Sequence, residues 1–90
     1  MIQKSYDESA SLYLIPTPIG NVDDITIRSL DTLKFVDLIL CEDTRTTGML
    51  LKRYDIKKKL VSCHEYNESK IIDFTIGKLK DGFNVGVVNL

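Results

Sequence analysis

Three short clusters of polar, glycine and proline residues carry the side chains that could do chemistry. Each cluster directly follows a short apolar run, as expected where a buried strand gives way to a loop. The clusters lie at residues 16–21, 42–45 and 62–68. In a parallel α/β sheet the carboxyl ends of the strands share one crevice, and ligands bind there. The spacing therefore predicts that the three clusters meet in one crevice, although they are distant in the chain.

The second and third clusters contain groups that can accept protons or hold anions. A carboxylate at a strand end, such as Glu42, can take a proton from a substrate hydroxyl, and Arg45 can hold a phosphate with its forked donors. These two side chains could equally pair with each other, and Asp43 is a natural cap for the following helix. His64 is the only histidine of the chain, and a lone histidine is more often a hydrogen-bonded structural residue. Catalytic and structural roles therefore both stay open at these positions.

The first cluster is a turn between a strand and a helix, and it contains Pro16, Pro18 and Gly20. A ligand can approach the backbone closely at Gly20, and the start of the following helix favours negative charge. The cluster is neither a G-x-G-x-x-G dinucleotide motif nor a Walker phosphate loop. A ligand-binding loop and a rigid turn are both consistent with it.

Metal binding is not predicted for this chain. Cys41 and Cys63 are 22 residues apart, and this spacing matches no zinc motif even with His64 and Glu65 beside the second cysteine. Two cysteines also make no disulfide framework, so both are expected to be reduced thiols. We therefore expect a cytoplasmic location.

Positive charge is concentrated in one segment, which we call the basic stripe. Residues 45–59 hold six basic side chains and one acidic side chain, in a chain whose net charge is −1. Such a stripe attracts polyanions such as RNA, although a solvated helix end followed by a turn has the same composition. The basic side chains of the stripe are Arg45, Lys52, Arg53, Lys57, Lys58 and Lys59.

The elements that must position these clusters alternate in type along the chain. Apolar runs predict strands at residues 12–15, 38–41, 60–62 and 85–88, the first of them covered on both faces. Between them, apolar spacing and capping residues predict three helices, which begin at Asp23 or Asp24, at Thr44 and after Asn67. The order β-α-β-α-β-α-β predicts an α/β fold with a parallel sheet and helices on both faces.

The apolar stripes of the second and third helices predict the sides that face the sheet. The stripe of the second helix consists of Met49, Leu50, Leu51 and Tyr54. The stripe of the third helix consists of Ile71, Ile72, Thr75, Ile76 and Leu79. Both stripes are expected to be buried.

Length and composition favour one small globular domain. The chain has 90 residues, of which 43% are hydrophobic and 28% charged. Residues 1–11 lack the basic start and apolar stretch of a signal peptide, so we expect a loose tail followed by a domain at residues 12–90. No apolar run approaches the roughly 20 residues that span a bilayer, so no membrane partner is predicted.

Together, the three clusters resemble one specific family. Residues 12–21 read LYLIPTPIGN, residues 41–45 read CEDTR and residues 62–68 read SCHEYNE. These motifs, in this order, are similar to the start of the bacterial small-subunit ribosomal RNA methyltransferases of the tetrapyrrole-methylase superfamily. Members of that family methylate the ribose 2′-hydroxyl of a cytidine in the decoding centre. The resemblance covers roughly residues 12–88.

The resemblance implies a fold of two α/β domains, a homodimer, and a methyl group supplied by S-adenosylmethionine bound between the domains. Ribosomal RNA in the small ribosomal subunit is the implied partner. This chain is similar to most of the N-terminal domain. The fourth strand of the family leads into a Ser-Asp-Ala-Gly-Thr-Pro-like loop at the cofactor site, whereas this sequence reads Val87-Val88-Asn89-Leu90 and ends. The resemblance therefore implies an incomplete cofactor site, and a fragment that is inactive alone.

The resemblance also implies candidate roles for the clusters. Methyl transfer to a ribose hydroxyl needs two oriented reactants and removal of the hydroxyl proton. The candidates for proton handling or substrate orientation are Glu42, Asp43, His64 and Glu65. The candidates for the cofactor side are Pro18, Gly20 and Asn21. The basic stripe, beginning at Arg45, is the candidate RNA contact.

Three alternatives compete with this interpretation. A phosphorelay receiver would need acidic residues after the first strand and an aspartate after the third, where this chain has Pro16 and Ser62. A methylase of small tetrapyrroles would begin with a G-x-G-P-G-like loop, which is not present. The third alternative is a folded fragment without catalysis that serves only as an RNA-binding or dimerisation module.

Overall fold

Four strands alternate with three α-helices along the described part of the chain, which in this computed structural model comprises residues 10–18, 21–64 and 66–89. The predicted order β-α-β-α-β-α-β is confirmed. Of the predicted tail, only residues 10 and 11 lie within the described residues. The strands are β1 (Leu12–Pro16), β2 (Leu38–Cys41), β3 (Lys59–Ser62) and β4 (Val85–Asn89). The α-helices are α1 (Ile27–Phe35), α2 (Thr44–Arg53) and α3 (Glu68–Lys80), and a short 3₁₀ helix (Val22–Asp24) precedes α1.

The four strands form one parallel sheet in the order β1-β4-β2-β3. β4 lies between β1 and β2, where Val85 pairs with Leu12 on one side and with Leu38 on the other. The chain therefore runs outward from β1 to β2 and β3, and then returns to place β4 in the gap. β1 and β3 are the edge strands of the sheet that the described residues form.

The helices cover the sheet on both faces, as predicted. Leu33 of α1 and Leu50 of α2 pack on one face around Ile39. Phe74 of α3 packs on the other face against Leu40. This division follows from the topology, because the connections through α1 and α2 run in one direction along the sheet and the connection through α3 runs back.

β1 is covered on one face only, so the prediction that both its faces are buried is wrong. Tyr13 and Ile15 are buried, whereas Leu12 and Leu14 are 49% and 76% exposed on the opposite face. The reason is the position of β1 at the sheet edge, since the cluster around α3 is built on β2, β3 and β4.

The predicted helix stripes also need correction. Met49 of α2 is exposed, and so are Ile72 and Ile76 of α3. The buried side of α2 is formed by Leu50, Leu51 and a threonine, Thr47, which hydrophobicity alone does not select.

One helix start and one helix cap differ from the prediction. The carboxylates at residues 23 and 24 belong to the 3₁₀ helix, and α1 begins later, after Thr26. The Thr26 hydroxyl oxygen accepts a hydrogen bond from the Ser29 N–H at 3.0 Å. Asn67 does precede α3, but its side chain makes no cap hydrogen bond to that helix.

Candidate functional site

The described residues of the three clusters lie along one edge of the sheet, at the carboxyl ends of the strands. The second and third clusters are adjacent because β2 and β3 are neighbours, and the Cys63 N–H donates to the Cys41 carbonyl at 2.8 Å. The first cluster lies on the far side of β4. With strands about 4.8 Å apart, the ends of β1 and β3 are separated by about 14 Å. The crevice therefore has a β1 side and a β2–β3 side, with the end of β4 between them.

Asp43 holds the start of α2, as one of its two predicted roles required. One carboxylate oxygen, Oδ1, accepts from the Arg45 N–H at 2.9 Å and from the Thr46 N–H at 3.2 Å. The other, Oδ2, accepts from the Thr46 hydroxyl at 2.9 Å. These donors, the Thr46 N–H first among them, lower the pKa of the Asp43 carboxyl. A carboxylate stabilised in this way is a weak proton acceptor, so the geometry favours a positioning role for Asp43.

Glu42 and Arg45 flank this cap and both side chains are exposed. Among the described residues the ion pair that forms joins Arg53 to Asp23 instead, at 2.9 Å. Glu42 and Arg45 therefore do not form an ion pair with each other. A carboxylate and a guanidinium at the end of a central strand are both available to a ligand in the crevice.

Cys41 ends β2 directly beneath this loop, and its side chain is buried. Burial raises the pKa of the Cys41 thiol, against the opposing effect of the neighbouring Thr47 hydroxyl. Because the thiolate is the reactive form, a buried thiol with a raised pKa is inert in the folded protein. Cys41 is a packing residue of the sheet.

The loop after β3 is organised by Asn67, which sequence reasoning expected to cap a helix. Its side-chain oxygen accepts from the His64 N–H at 2.8 Å, and its amide group donates to the Ser62 carbonyl at 2.9 Å. The side chain thus ties the start of the loop to its end. Glu65, the remaining candidate of this cluster, lies outside the described residues.

His64 is exposed, and one of its ring nitrogens is occupied. The Tyr66 N–H donates to His64 Nδ1 at 3.3 Å. Because a neutral imidazole carries one proton, this contact assigns the proton to Nε2. In this arrangement His64 offers a hydrogen-bond donor to the crevice, which suits substrate positioning better than proton removal.

The loop after β1 is attached to α1 by a residue that the sequence analysis missed. The hydroxyl of Ser29, which is buried, donates to the Pro16 carbonyl at 2.8 Å. Asn21 is exposed, and its side-chain oxygen accepts from the Asp23 N–H at 2.9 Å, which leaves its amide N–H₂ group as a donor. Pro18 is half-buried, and Gly20 lies outside the described residues. A small polar residue in the first turn of α1 was the only signal that could have identified Ser29.

The basic stripe begins at the crevice, at the carboxyl ends of the strands, and extends to the side of the sheet where the strands begin. Arg45 lies in the first turn of α2, which is about 15 Å long, and Lys59 begins β3. Lys52 and Lys57 are exposed, whereas Arg53 is held by Asp23. An open pocket of about 330 Å³ lies within the stripe. Its lining residues are Gly48, Leu51, Lys52, Asp55, Ile56, Lys57, Lys58 and Leu60.

The described residues contain no group of three or more His, Cys, Asp and Glu side chains that could hold a metal ion. None of the helices found there has the length and apolar character needed to cross a membrane.

Known proteins resemble this chain along nearly its whole length. Two relatives named ribosomal RNA small subunit methyltransferase I come from Escherichia coli O157:H7 and Streptococcus pyogenes serotype M6. The first is 42% identical over 97% of this chain and 30% of its own length. The second is 47% identical over 98% of this chain and 32% of its own length. A relative of the same name from Mycoplasmopsis pulmonis is 44% identical over 89% of this chain and 36% of its own length.

The chain thus spans about a third of the length of the curated relatives that it matches. The sequence model described as Tetrapyrrole (Corrin/Porphyrin) Methylases matches residues 11–90. The resemblance seen in the three clusters is confirmed, and the chain belongs to the tetrapyrrole methylase family.

Proposed function

We propose that this chain is part of an S-adenosylmethionine-dependent methyltransferase that acts on the ribose 2′-hydroxyl of a cytidine in small-subunit ribosomal RNA. The observation that carries the proposal is the similarity, over nearly the whole chain, to proteins named ribosomal RNA small subunit methyltransferase I. The position of the three clusters at one sheet edge supports it, because that edge is where parallel α/β sheets bind ligands.

The β1 side of the crevice suits the cofactor. The amide N–H₂ group of Asn21 is a suitable donor for the carboxylate of an amino-acid moiety, Pro18 would form the adjoining wall, and Gly20 remains a candidate of the same loop. The sulfonium of S-adenosylmethionine supplies an electrophilic methyl group. The anchoring of the Pro16 carbonyl by Ser29 keeps this side of the crevice in place.

The β2 side suits the RNA ribose. Glu42 is an exposed carboxylate, and we assign it the role of accepting the proton of the 2′-hydroxyl. Asp43 holds the loop, and Arg45 binds a neighbouring phosphate. His64 donates from Nε2 to an oxygen of the substrate, and Glu65 remains a candidate of the same loop. The remaining exposed side chains of the basic stripe would bind the RNA backbone further away.

Methyl transfer by a chimeric protein tests this proposal. Residues 11–90 replace the matching segment of the Escherichia coli relative, and transfer of labelled methyl groups to small ribosomal subunits is measured. Glu42→Gln should abolish transfer, His64→Ala should weaken it, and Lys34→Ala, an exposed change on α1, should leave it unchanged. Transfer that survives Glu42→Gln would refute the assignment of the proton acceptor, and transfer to a base would refute the ribose specificity.

A second candidate function follows from the share of length that the chain covers. The chain spans about a third of the length of its relatives, and in this second case the 90 residues alone act as a folded RNA-binding or dimerisation module without catalysis. Titration calorimetry with S-adenosylmethionine distinguishes the two cases. Absence of binding together with cooperative thermal unfolding supports the two-domain cleft, whereas micromolar binding to the isolated chain refutes it.

We further propose a cytoplasmic homodimer. The cytoplasmic location follows from the proposed ribosomal substrate, because the enzyme must have access to ribosomes. The dimer is supported by Leu12 and Leu14, which are exposed on edge strand β1 and offer an apolar surface for a second copy. Sedimentation velocity should show a dimer that Leu14→Lys dissociates and that Ile27→Lys, at a similarly exposed position, does not. A Leu14→Lys protein that still dimerises would exclude β1 as the interface.

A further inference from the structure

The turn between β3 and α3 presents an aromatic side chain that is almost fully exposed. Tyr66 is 89% exposed, more than any other large apolar side chain of the described residues. The other described aromatic residues are engaged: Tyr13 packs edge-on against Phe35, Lys78 lies over the rings of Phe74 and Phe83, and the Tyr54 hydroxyl donates to a backbone carbonyl. Tyr66 therefore stands apart from the aromatic residues that stabilise the fold.

A second ring accompanies Tyr66. The His64 ring lies with its centroid 6.1 Å from that of Tyr66, at an interplanar angle of 59°. The Tyr66 N–H bonds to the His64 ring, and Asn67 ties the His64 backbone to the end of the turn. These contacts hold the His64 ring and the backbone N–H groups of His64 and Tyr66, so a planar ligand that stacks here does not have to order these groups.

The surroundings of the two rings indicate what the ligand is. Arg45 follows the neighbouring strand β2 and supplies a cation for a phosphate. A planar group linked to phosphates is a nucleotide, and single-stranded RNA is recognised by stacking of its unpaired bases on aromatic rings. The rings follow β3, about 14 Å from the end of β1, whose loop is assigned to the cofactor.

We propose that Tyr66 and His64 form a stacking platform for an unpaired base of the RNA substrate. This proposal rests on the proposed function, and it adds a preference for a site where the RNA is not fully paired. The stacked base fixes the register of the RNA at the crevice while the phosphates lie along the basic stripe.

The test compares binding of two RNAs to the 90-residue chain. One is a short single strand with a central 2-aminopurine, whose fluorescence is quenched by stacking, and the other is the same strand paired to its complement. Tyr66→Ala should weaken binding of the single strand by about 5- to 100-fold and remove the quenching, whereas Tyr66→Phe should retain both. Binding of the duplex should not change.

Two controls separate stacking from charge and from folding. Tyr66→Ala should leave the salt dependence of binding unchanged because no charge is removed, whereas Arg45→Ala should reduce its slope by about one. Ile72→Ala, on an exposed face of α3, should change the binding of neither RNA.

Equal binding of the single strand by Tyr66→Ala and the unaltered chain overturns the platform but leaves the proposed function standing. An equal loss for single strand and duplex also overturns it, because a platform for unpaired bases would not contribute to binding of the duplex. If the unaltered chain binds neither RNA, the platform and the RNA contact of the proposed function both fail.

Discussion

Replacement of Gly86 by alanine should destabilise the protein, because β4 is enclosed at this point. Gly86 lies opposite Tyr13 of β1 and Ile39 of β2, so the backbone is held on both sides. An added Cβ would lie 2.8 Å from Ile15 Cδ1 and 3.2 Å from Val36 Cγ2. Optimal separations between carbon atoms are about 3.5–4.0 Å. We therefore expect a loss of about 1–3 kcal/mol in the free energy of unfolding, the usual range for an overpacked core.

The same substitution at Gly77 is the matched control. Gly77 is exposed in the interior of α3, and an added Cβ would meet nothing within 4 Å. Alanine lowers the conformational entropy of the unfolded chain and favours the helix, so Gly77→Ala should stabilise the protein by about 0.4–1 kcal/mol. Urea unfolding followed by circular dichroism measures both changes, and they should have opposite signs.

A double variant identifies the atom responsible. Ile15→Val removes the Cδ1 atom nearest to the added Cβ, and alone it should cost about 0.5–1.5 kcal/mol. Combined with Gly86→Ala, it should cost less than the sum of the two single changes, with a coupling of at least about 0.5 kcal/mol. Additive costs, or a Gly86→Ala protein as stable as the original, would refute the packing argument.

Three further predictions concern the crevice. Asn67→Ala removes the acceptor of the His64 N–H, so hydrogen exchange of that amide should accelerate, whereas Asn84→Ala should leave it unchanged. Cys41 should react with a thiol reagent only when the protein unfolds. Because the fold raises the pKa of the Cys41 thiol, the free energy of unfolding should fall as the pH rises above 9.0, the pKa of the thiol in the unfolded chain. This fall should be smaller in Cys41→Ala. The lowered pKa of Asp43 should make stability fall as pH drops below 3.8, and thermal unfolding of Asp43→Asn should lack this component of the pH dependence.

Strand positions were predictable because the central strands are uniformly apolar. All four residues of β2 are buried, and the predicted strand has the observed bounds. The run at β1 is as apolar, yet Leu14 is exposed, because local sequence does not reveal that a strand lies at a sheet edge. The insertion of β4 between β1 and β2 is likewise a long-range property, set by contacts between residues such as Leu12 and Val85.

The candidate site was predictable where one residue acts on its neighbours in sequence. The cap by Asp43 is of this kind, since its partners are two and three residues away. The bond from Ser29 to the Pro16 carbonyl spans 13 residues and depends on how α1 packs against β1, so the sequence did not indicate it. Residue type predicts that Asn67 caps a helix, whereas in the structure its side chain bonds to the His64 N–H and the Ser62 carbonyl of the loop after β3.

The strand order also bears on which residue accepts the proton. β1 and β2 lie two strand spacings apart, about 9.6 Å, with the end of β4 between them. A methyl donor on the β1 side and a ribose on the β2 side would meet over β4, and transfer requires the reacting atoms to approach within about 3–3.5 Å. Glu42 follows β2 directly, whereas His64 follows β3, one strand further from this point. The order of strands therefore favours Glu42 as the proton acceptor and leaves His64, whose Nδ1 is already occupied, to position the RNA.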